Sequence, residues 1–363
     1  MRIALVISSL DVGGAERVMS LMANYWAAKG WEITVLTFDD GGSFYQLDGR
    51  INIIGLKIKQ DSSNVVTGLW NNLQRIQTLL GEIASLKPEV VISFIDQVNV
   101  LTLLATRSLN LKVIVSERVD PTLHSISPIW DNLRRWTYPF AAKIVVQTSG
   151  AVNYFSHQLQ LPSCIIPNPV IATTLEVPPI KNRRVILAMG RLTAQKGFDL
   201  LLKAFAKIAK QYPDWRLIII GEGELRLELK ALRDKLKLEK RVKFPGMVKS
   251  PQTAFDNADI FVLSSRFEGF PNALCEAMAH GLAVIATDCP SGPREIIRDG
   301  IDGILVQPEN VAALSAAMAS LMVDEQKRHD LSTCATEIVT RFGIEKIMPM
   351  WEELLAEVVQ EKG

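Results

Sequence analysis

Residues 259–281, DIFVLSSRFEGFPNALCEAMAHG, contain the strand, turn and helix that decide the fold. The run DIFVLSS is almost entirely apolar, as is typical of a strand that helices cover on both faces. The turn RFEGFP follows, and a helix is predicted from Asn272 to Gly281, with Pro271 and Gly281 as its start and stop signals. The stretch therefore predicts one strand–helix unit of a parallel α/β sheet.

The same alternation of short β-branched runs and amphipathic stretches continues through the chain in two successive series. The first series of predicted strands is RIALVISS, EITVLTF, VVISF, KVIVSE and KIVVQTS. The second series is RVILAMG, RLIIIGEG, RVKFPG, DIFVLSS, LAVIATD and GILVQ. Two series of this kind predict two doubly wound, Rossmann-like α/β domains, each with its own parallel sheet.

The domain boundaries follow from a proline-rich stretch between the two series. We predict a first domain over residues 1–165, a linker over 166–184 and a second domain over 185–340. The remaining residues, 341–363, form a predicted helix interrupted by Pro349, which we expect to return to the first domain.

The composition is that of an ordinary globular protein, because 48% of the 363 residues are hydrophobic and 22% are charged. The 40 Lys and Arg residues nearly balance the 39 Asp and Glu residues, so the net charge of +1 predicts no nucleic-acid partner. Four widely spaced cysteines match no metal-binding pattern and indicate a reducing compartment. The opening MRIALVISSLDVGG predicts a first strand and not a signal peptide. We therefore expect a cytoplasmic protein, or one that lies on the inner face of a membrane.

Ligands of open parallel sheets bind outside the carboxyl ends of the strands, which limits the candidate site residues to those just after a strand. Gly13 and Gly14 follow the first strand and would let the backbone approach a ligand at the start of the next helix. A simple tight turn explains this pair equally well. The pattern is not the G-x-G-x-x-G dinucleotide fingerprint, because no third glycine follows at the required spacing.

Two cations follow the first strand of the second series. Arg191 and Lys196 are five residues apart, and both lie between that strand and the next helix. A guanidinium and an ammonium group in this position can converge on one anion, and a pyrophosphate suits their hydrogen-bonding geometry. The alternative is that both are solvated loop charges.

Two acids belong to the stretch quoted first, Glu268 in the turn and Glu276 in the helix. Glu276 lies one turn after Asn272 among apolar neighbours, where a carboxylate is costly unless hydrogen-bond donors surround it. The vicinal hydroxyl groups of a ribose would supply such donors, and Glu268 would face another part of the same ligand. Otherwise Glu276 is an ordinary exposed helix residue and Glu268 a loop charge.

These motifs together resemble those of glycosyltransferase family 4, the group 1 retaining glycosyltransferases of GT-B fold. The stretch EGFPNALCEAMAHGLAVIATDCPSGPREII resembles the family's donor-site signature, which has two glutamates with seven residues between them. GRLTAQKGFDLLLKAF, VGGAERV and IIPNPV resemble three further markers of the family, and all of them occur in the right order. The resemblance implies a GT-B fold, in which two Rossmann-like domains face a central cleft.

The resemblance also implies a role for each candidate residue. Arg191 and Lys196 would hold the diphosphate of a nucleotide-sugar donor. Glu276 would bind the ribose diol of that donor, and Glu268 would lie beside the transferred sugar. Backbone amides that cradle the phosphates and the sugar would come from Phe270, Asn272, Ala273 and Leu274. Members need no metal and no cofactor, because cationic side chains and helix ends neutralise the leaving diphosphate of the nucleotide sugar, which is a co-substrate.

One position departs from the family pattern. Many members carry a His near the reaction centre in the first domain, whereas VIVSERVDP places Glu117 and Arg118 there. This leaves Glu117 as the candidate replacement for that His as a substrate contact. The SERxDP form resembles members that add hexoses or N-acetylhexosamines during the assembly of lipid-linked or cell-surface glycans.

The combined prediction is a retaining glycosyltransferase. It would move a hexosyl or N-acetylhexosaminyl group from a nucleotide-sugar donor, a UDP-sugar, to a hydroxyl of a saccharide or lipid-linked acceptor. Two alternatives keep a similar fold or ligand: a UDP-sugar epimerase, and a non-catalytic protein that binds a nucleotide sugar.

A membrane surface is a further candidate partner. The stretch IWDNLRRWTYPF carries Trp130, Arg134, Arg135 and Trp136, which suit a helix at a lipid–water interface. The alternative is an amphipathic helix that packs on its own domain.

Overall fold

The computed structural model describes residues 1–59, 65–122, 126–171, 183–248 and 251–360. The chain folds into two α/β units, each with its own parallel sheet. Unit 1 comprises Met1–Pro169 and Glu345–Gly363, and unit 2 comprises Val170–Ile344. Most of the predicted linker, residues 172–182, lies outside the described residues.

Unit 1 is built on a single sheet. Its strands are β1 Arg2–Ile7, β2 Glu32–Thr37, β3 Asn52–Gly55, β4 Val90–Phe94, β5 Lys112–Ser116, β6 Lys143–Val146 and β7 Ser163–Ile165. Neighbouring strands are all parallel, in the order β3-β2-β1-β4-β5-β6-β7. Its helices are α1 Gly14–Ala28, α2 Val65–Leu86, α3 Asp96–Thr106, α4 Pro128–Thr137 and α5 Ser149–Asn153, with a 3-10 turn at Tyr138–Phe140 and a π turn at Tyr154–Leu159.

Unit 2 repeats this architecture with six strands. They are β8 Val185–Met189, β9 Arg216–Ile220, β10 Val242–Gly246, β11 Ile260–Leu263, β12 Ala283–Thr287 and β13 Ile304–Val306, in the parallel order β10-β9-β8-β11-β12-β13. A 3-10 turn at Ala194–Lys196 precedes the first helix of the unit. The helices are α6 Phe198–Ile208, α7 Arg226–Lys235, α8 Pro251–Asp256, α9 Asn272–Ala279, α10 Pro293–Ile296, α11 Val311–Val323, α12 Glu325–Ala335 and α13 Ile338–Phe342.

Continuous apolar runs form the central strands of both sheets, as the sequence predicts. Every residue of β4 in unit 1 and of β11 and β12 in unit 2 is buried. A strand that helices cover on both faces needs an apolar side chain on each face, which explains the absence of polar alternation. The central strands therefore hold the core of each unit.

The strand order of each sheet reverses at one point, which positions the candidate site. In unit 1 the reversal lies between β1 and β4, and in unit 2 between β8 and β11. The chain leaves neighbouring strands in opposite directions at such a point, so the loops after them diverge and leave room for a ligand. The loop after β8 carries Arg191 and Lys196, and the loop after β11 carries Glu268.

The last helix, α14 Ile344–Gln360, contains Pro349 and lies almost entirely in unit 1. Its Trp351 is buried against Phe94 at the end of β4, with a ring-centroid distance of 6.5 Å. Its Glu352 accepts a hydrogen bond of 2.7 Å from the Nζ atom of Lys29. Among the described residues, none of the helices combines the length and the apolar character that crossing a bilayer requires.

Candidate active site

The loops that follow β8 and β11 are joined to each other by hydrogen bonds. The Ser264 hydroxyl donates to the Lys196 carbonyl at 2.9 Å, and the Arg266 amide donates to the Gln195 carbonyl at 2.8 Å. The Gln195 side chain donates in turn to the Phe267 carbonyl at 3.0 Å. The two loops therefore hold their side chains in one fixed arrangement at the carboxyl edge of the sheet.

Gly197 allows this close approach. Its φ of +61° is in the left-handed region, and a Cβ atom there would lie 2.1 Å from the Ser264 carbonyl oxygen. A side chain at this position would therefore be strained and would also force the two loops apart.

Lys196 and Glu268, which the sequence predicts separately, contact each other. The Lys196 ammonium lies 2.6 Å from Oε1 of Glu268, and the Ser265 hydroxyl donates to the same oxygen at 2.5 Å. Glu268 is only 4% exposed, so these two donors compensate the cost of burying its charge. Among the described residues no donor reaches Oε2, which remains able to accept hydrogen bonds from a ligand.

The Cys289 thiol lies close to this carboxylate. Burial, and secondarily the Glu268 charge, raises the pKa of Cys289 to about 12. The thiol is therefore protonated at neutral pH and is a poor nucleophile.

Arg191 lies on the same loop as Lys196, five residues earlier, and is exposed. Among the described residues, no carboxylate or carbonyl group accepts a hydrogen bond from its side chain. A guanidinium group that lacks a partner among the described residues is available to a ligand anion.

The helix α9 carries the second predicted acid, Glu276. Asn272, Ala273 and Glu276 are half-buried, and their spacing places them on one face of the helix. The residues that fill the rest of α9 are buried: Leu274, Cys275, Ala277, Met278 and Ala279. Glu276 is thus on the least buried face of α9, a helix that begins at the same edge of the sheet as the Lys196–Glu268 pair.

The side chains of Phe270 and Leu274 belong to the core of unit 2. Phe270 packs edge-to-face on Phe342 with a centroid distance of 5.5 Å, and Leu274 is fully buried. The Leu274 amide donates to the Pro271 carbonyl at 3.0 Å, so it is engaged in the first turn of α9.

Gly13 and Gly14 lie at the start of α1, where the sequence predicts a helix N-terminus. The Gly13 amide donates to the Tyr45 hydroxyl at 3.2 Å, and this hydroxyl donates to the Gly13 carbonyl at 2.9 Å. The backbone at Gly13 is therefore held by a side chain of unit 1. Tyr45 is 32 residues away in the sequence, so only the structure reveals this contact.

Glu117, the candidate replacement for the family's His, is buried among protein partners, and its role as a substrate contact stays a prediction. The Tyr138 hydroxyl donates to its carboxylate, and the Arg134 guanidinium lies 3.9 Å away. Burial is the main cause that raises the pKa of Glu117 to about 7, against the opposing charge of Arg134. Glu117 therefore belongs to an internal polar network of unit 1.

The residues of α4 that are predicted to face a membrane differ in burial. Arg134 is buried, donates to Asp131 and Tyr154, and cannot face lipid. Trp130 packs against the core of unit 1, whereas Trp136 is 60% exposed. The prediction of an interfacial face is wrong for Arg134 and leaves Trp136 and Arg135 as exposed candidates.

Two residues that support the site are absent from the sequence-based prediction. Ser265 is a donor to Glu268, and Arg266 forms a bidentate ion pair with Asp199 in the first turn of α6, at 2.9 and 3.1 Å. Both directly follow the buried strand β11, so the strand-end rule would have selected them. Among the described residues, no three His, Cys, Asp or Glu side chains are grouped to hold a metal ion.

Comparison with known proteins assigns both halves of the chain. A family model described as Glycosyl transferases group 1 matches residues 173–337, and a model described as Glycosyltransferase Family 4 matches residues 12–173. An uncharacterized glycosyltransferase of Methanocaldococcus jannaschii is 31% identical, over 86% of this chain and 91% of its own length. A GalNAc-alpha-(1->4)-GalNAc-alpha-(1->3)-diNAcBac-PP-undecaprenol alpha-1,4-N-acetyl-D-galactosaminyltransferase of Campylobacter jejuni is 28% identical over 99% of each chain.

Solved structures match over nearly the full length. HepE of Anabaena, crystallised with UDP and glucose, has a TM-score of 0.82 and 20% identity, and the match covers 98% of this chain and 99% of HepE. Sucrose-phosphate synthase from Thermosynechococcus elongatus has a TM-score of 0.84 and 18% identity, with 99% of each chain covered. These matches confirm the predicted GT-B fold class. The chain belongs to the group 1 glycosyltransferases of family 4.

Proposed function

We propose that this glycosyltransferase transfers a hexosyl or N-acetylhexosaminyl group from a UDP-sugar to an acceptor hydroxyl, with retention of the anomeric configuration and without a metal ion. The observation that carries the proposal is the contact between Lys196 and Glu268 at the strand-order reversal of unit 2. Arg191, which has no partner among the described residues, lies on the same loop as Lys196.

The cations act on the leaving group. When the bond between the anomeric carbon and the phosphate oxygen breaks, negative charge develops on the UDP diphosphate. Lys196 and Arg191 stabilise this charge, because positive groups fixed in place before the reaction need no reorganisation in the transition state. Their two charges are the reason to propose a reaction without a metal ion.

Glu268 acts on the sugar. Its Oε2 atom accepts a hydrogen bond from a sugar hydroxyl, and its negative charge stabilises the positive charge that develops at the anomeric carbon. The acceptor oxygen forms the new bond on the face that the diphosphate leaves, and its proton passes to the departing phosphate oxygen. Bond formation and cleavage on one face retain the configuration.

Glu276 binds the ribose of the donor. Its carboxylate is on the least buried face of α9 and can accept hydrogen bonds from both hydroxyls of a vicinal diol. The half-buried Asn272 and Ala273 on the same face lie beside the nucleotide.

Two relatives support the choice of substrates. HepE has been crystallised with UDP and glucose, which supports a UDP-sugar donor. The Campylobacter relative acts on a saccharide linked to PP-undecaprenol, which supports a lipid-linked acceptor. A lipid-linked acceptor would place the enzyme at the cytoplasmic face of a membrane, with Trp136 and Arg135 of α4 as its contact. Flotation with anionic vesicles tests that contact, and no loss of flotation in Trp136→Ser would contradict it.

The test of the reaction is to incubate the enzyme with a panel of UDP-sugars and candidate acceptors, measure UDP release and determine the anomeric configuration of the product by NMR. Lys196→Ala and Glu268→Gln should each lower kcat/KM by roughly 10²–10³-fold, because each removes a group that acts in the transition state. Lys203→Ala is the matched control, since Lys203 forms an ion pair with Asp199 four residues earlier in the same helix, α6, and its side chain is exposed.

Four results would contradict the proposal or part of it. Turnover that is unchanged in both site variants would remove these residues from the reaction. Conversion of a UDP-sugar in the absence of any acceptor would indicate an epimerase. Donor binding without turnover of any acceptor would indicate a non-catalytic binding protein, and loss of activity in EDTA would show that a metal ion is required.

A further inference from the structure

Arg118 of unit 1 is fixed by two contacts, but one edge of its guanidinium group is unpaired among the described residues. It follows β5 by two residues, and its Cζ atom lies 3.9 Å from the ring centroid of Phe94, the last residue of β4. Its Nη1 atom donates to the Ser116 hydroxyl at 3.2 Å. The aromatic ring and the hydroxyl therefore hold the guanidinium group in a single orientation.

The Nε and Nη2 atoms of Arg118 are fully buried, and no group of the described residues accepts a hydrogen bond from either of them. Across the described residues no other side chain has two such atoms. Burying two donors of a charged group without hydrogen-bond partners costs free energy, and such atoms are rare in proteins unless a ligand pairs with them.

These two atoms form the edge of a guanidinium group that fits an oxyanion. In unit 1 itself, Arg50 uses Nε and Nη2 to bind both carboxylate oxygens of Asp48, at 2.8 and 2.6 Å. Arg294 binds Asp288 in the same way. Two parallel N–H groups match two oxygens of a carboxylate or a phosphate. The edge that is unpaired in Arg118 is therefore the edge that binds carboxylates elsewhere in this chain.

Arg118 keeps its charge despite its burial. Burial lowers the pKa of Arg118 to about 9, and the charge of Glu16, in the first turn of α1, limits the decrease. The guanidinium group is therefore still positive at neutral pH. Glu16 is the acidic group that faces the guanidinium group, and its carboxylate does not bond to the Nε–Nη2 edge. The charge of Glu16 would therefore weaken the binding of an anion at that edge but would not prevent it.

The backbone beside Arg118 is strained. Ile95, which follows Phe94 at the strand-order reversal of unit 1, has a φ of +76°, a value that is costly for a β-branched residue. Its amide donates to the Ser116 carbonyl at 3.1 Å. Strain of this kind is concentrated at binding sites, and here it occurs next to the two residues that hold Arg118.

We propose that the Nε–Nη2 edge of Arg118 binds an oxyanion, a phosphate or a carboxylate group, that the acceptor carries. The cations that suit the donor diphosphate, Arg191 and Lys196, belong to unit 2, so an anion held by unit 1 belongs to the other substrate. Only this identification of the carrier rests on the proposed function. The oxyanion site itself does not.

Calorimetric titration with inorganic phosphate and, separately, with acetate tests the site. The full chain carries Arg191→Ala and Lys196→Ala, so that the predicted diphosphate site cannot contribute, and sodium chloride at equal ionic strength gives the blank. Saturable binding of phosphate above acetate would indicate a phosphorylated acceptor, and the reverse order would indicate a carboxylate. Arg118→Gln should weaken the preferred anion by about tenfold or more.

Two further variants complete the experiment. Arg118→Lys should also bind more weakly, because an ammonium group cannot form the bidentate contact. Arg107→Gln is the matched control, since Arg107 stacks on Phe140 at 3.8 Å but is exposed. Arg118→Lys serves as the test if Arg118→Gln fails to fold.

Equal anion affinity with and without the Arg118 substitution in the Arg191→Ala/Lys196→Ala protein, or no saturable binding of either anion, would overturn the site. Anion binding that depends on Arg118, in a protein that shows no transferase activity, would keep the site and reject only the acceptor as its carrier. The two failures are therefore distinguishable.

Discussion

Glu268 combines near-complete burial with a vacant acceptor atom. Among the described residues its two donors, Lys196 and Ser265, both bind Oε1. The carboxylate is thereby fixed, and in the proposed reaction Oε2 would accept a hydrogen bond from a substrate hydroxyl. One carboxylate oxygen holds the side chain in place and the other would bind the ligand, which is an arrangement suited to a preorganised site.

Removing Lys196 should cost stability as well as activity. Lys196→Met leaves a buried carboxylate with a single donor and should lower the free energy of unfolding by about 3 kcal/mol. The double variant Lys196→Met/Glu268→Gln should recover most of this loss, because the uncompensated charge is gone. Urea denaturation of the single and double variants measures both values, and a double variant no more stable than Lys196→Met would contradict the explanation.

Glu117 should make stability depend on pH. Its pKa is about 7 in the folded protein against 4.5 in the reference state, so between these values the folded state holds a proton that the unfolded state has lost. Stability from this group is therefore greatest below about pH 4.5 and declines as the pH rises through 7, by about 3 kcal/mol at most.

Glu117→Gln should remove this decline, because the amide does not titrate. Urea denaturation at several pH values between about 5 and 8 compares the slopes of the two proteins. Equal slopes would show that Glu117 is not the group responsible. Glu353→Gln, at an exposed position on α14, is the control.

The candidate site residues could be selected from the sequence, but their contacts could not be predicted. The strand-end rule selected Arg191, Lys196 and Glu268. The direct pairing of Lys196 with Glu268 joins residues 72 positions apart, and depends on β8 and β11 being neighbours in the sheet. The burial of Glu117 could not be predicted, because it depends on Tyr138 and on other residues distant in the sequence.

At the scale of elements, the central strands could be predicted and two edge strands could not. Residues 52–55 and 163–165 form β3 and β7, at the two edges of the sheet of unit 1, and neither is among the predicted strands. Both strands are short and none of their residues is buried, so they lack the continuous apolar pattern of a central strand. An edge strand is identified by its hydrogen bonds to the neighbouring strand, and a single sequence does not show these.

The connection between β8 and α6 should be sensitive to one methyl group. Gly197→Ala combines a left-handed φ with a clash against the Ser264 carbonyl, and should destabilise unit 2 by about 3 kcal/mol or more. Gly300→Ala is the matched control, because its φ of +74° carries the strain while a Cβ atom there meets no atom within 4 Å. We expect a loss of about 1 kcal/mol for the control. Equal losses of stability in the two variants, measured by thermal denaturation, would show that the close contact between Gly197 and the Ser264 carbonyl does not matter for stability.

At the scale of the whole molecule, a donor should stabilise unit 2 by mass action. UDP at about 100 times its Kd should add about 2.7 kcal/mol to the free energy of unfolding. Arg191→Ala should reduce the shift in melting temperature without changing the melting temperature of the ligand-free protein, since its side chain is exposed and has no partner among the described residues. An unchanged shift with UDP in this variant would remove Arg191 from the diphosphate site.

The return of α14 to unit 1 has a consequence for biosynthesis. Phe94, which lies under Arg118, is covered by Trp351 from the last helix of the chain. Unit 1, most of which leaves the ribosome first, therefore remains unfinished while all of Val170–Ile344 is translated, and it is completed only when α14 follows. Termination of translation after residue 344 would therefore leave unit 1 without α14, whereas unit 2 would be complete.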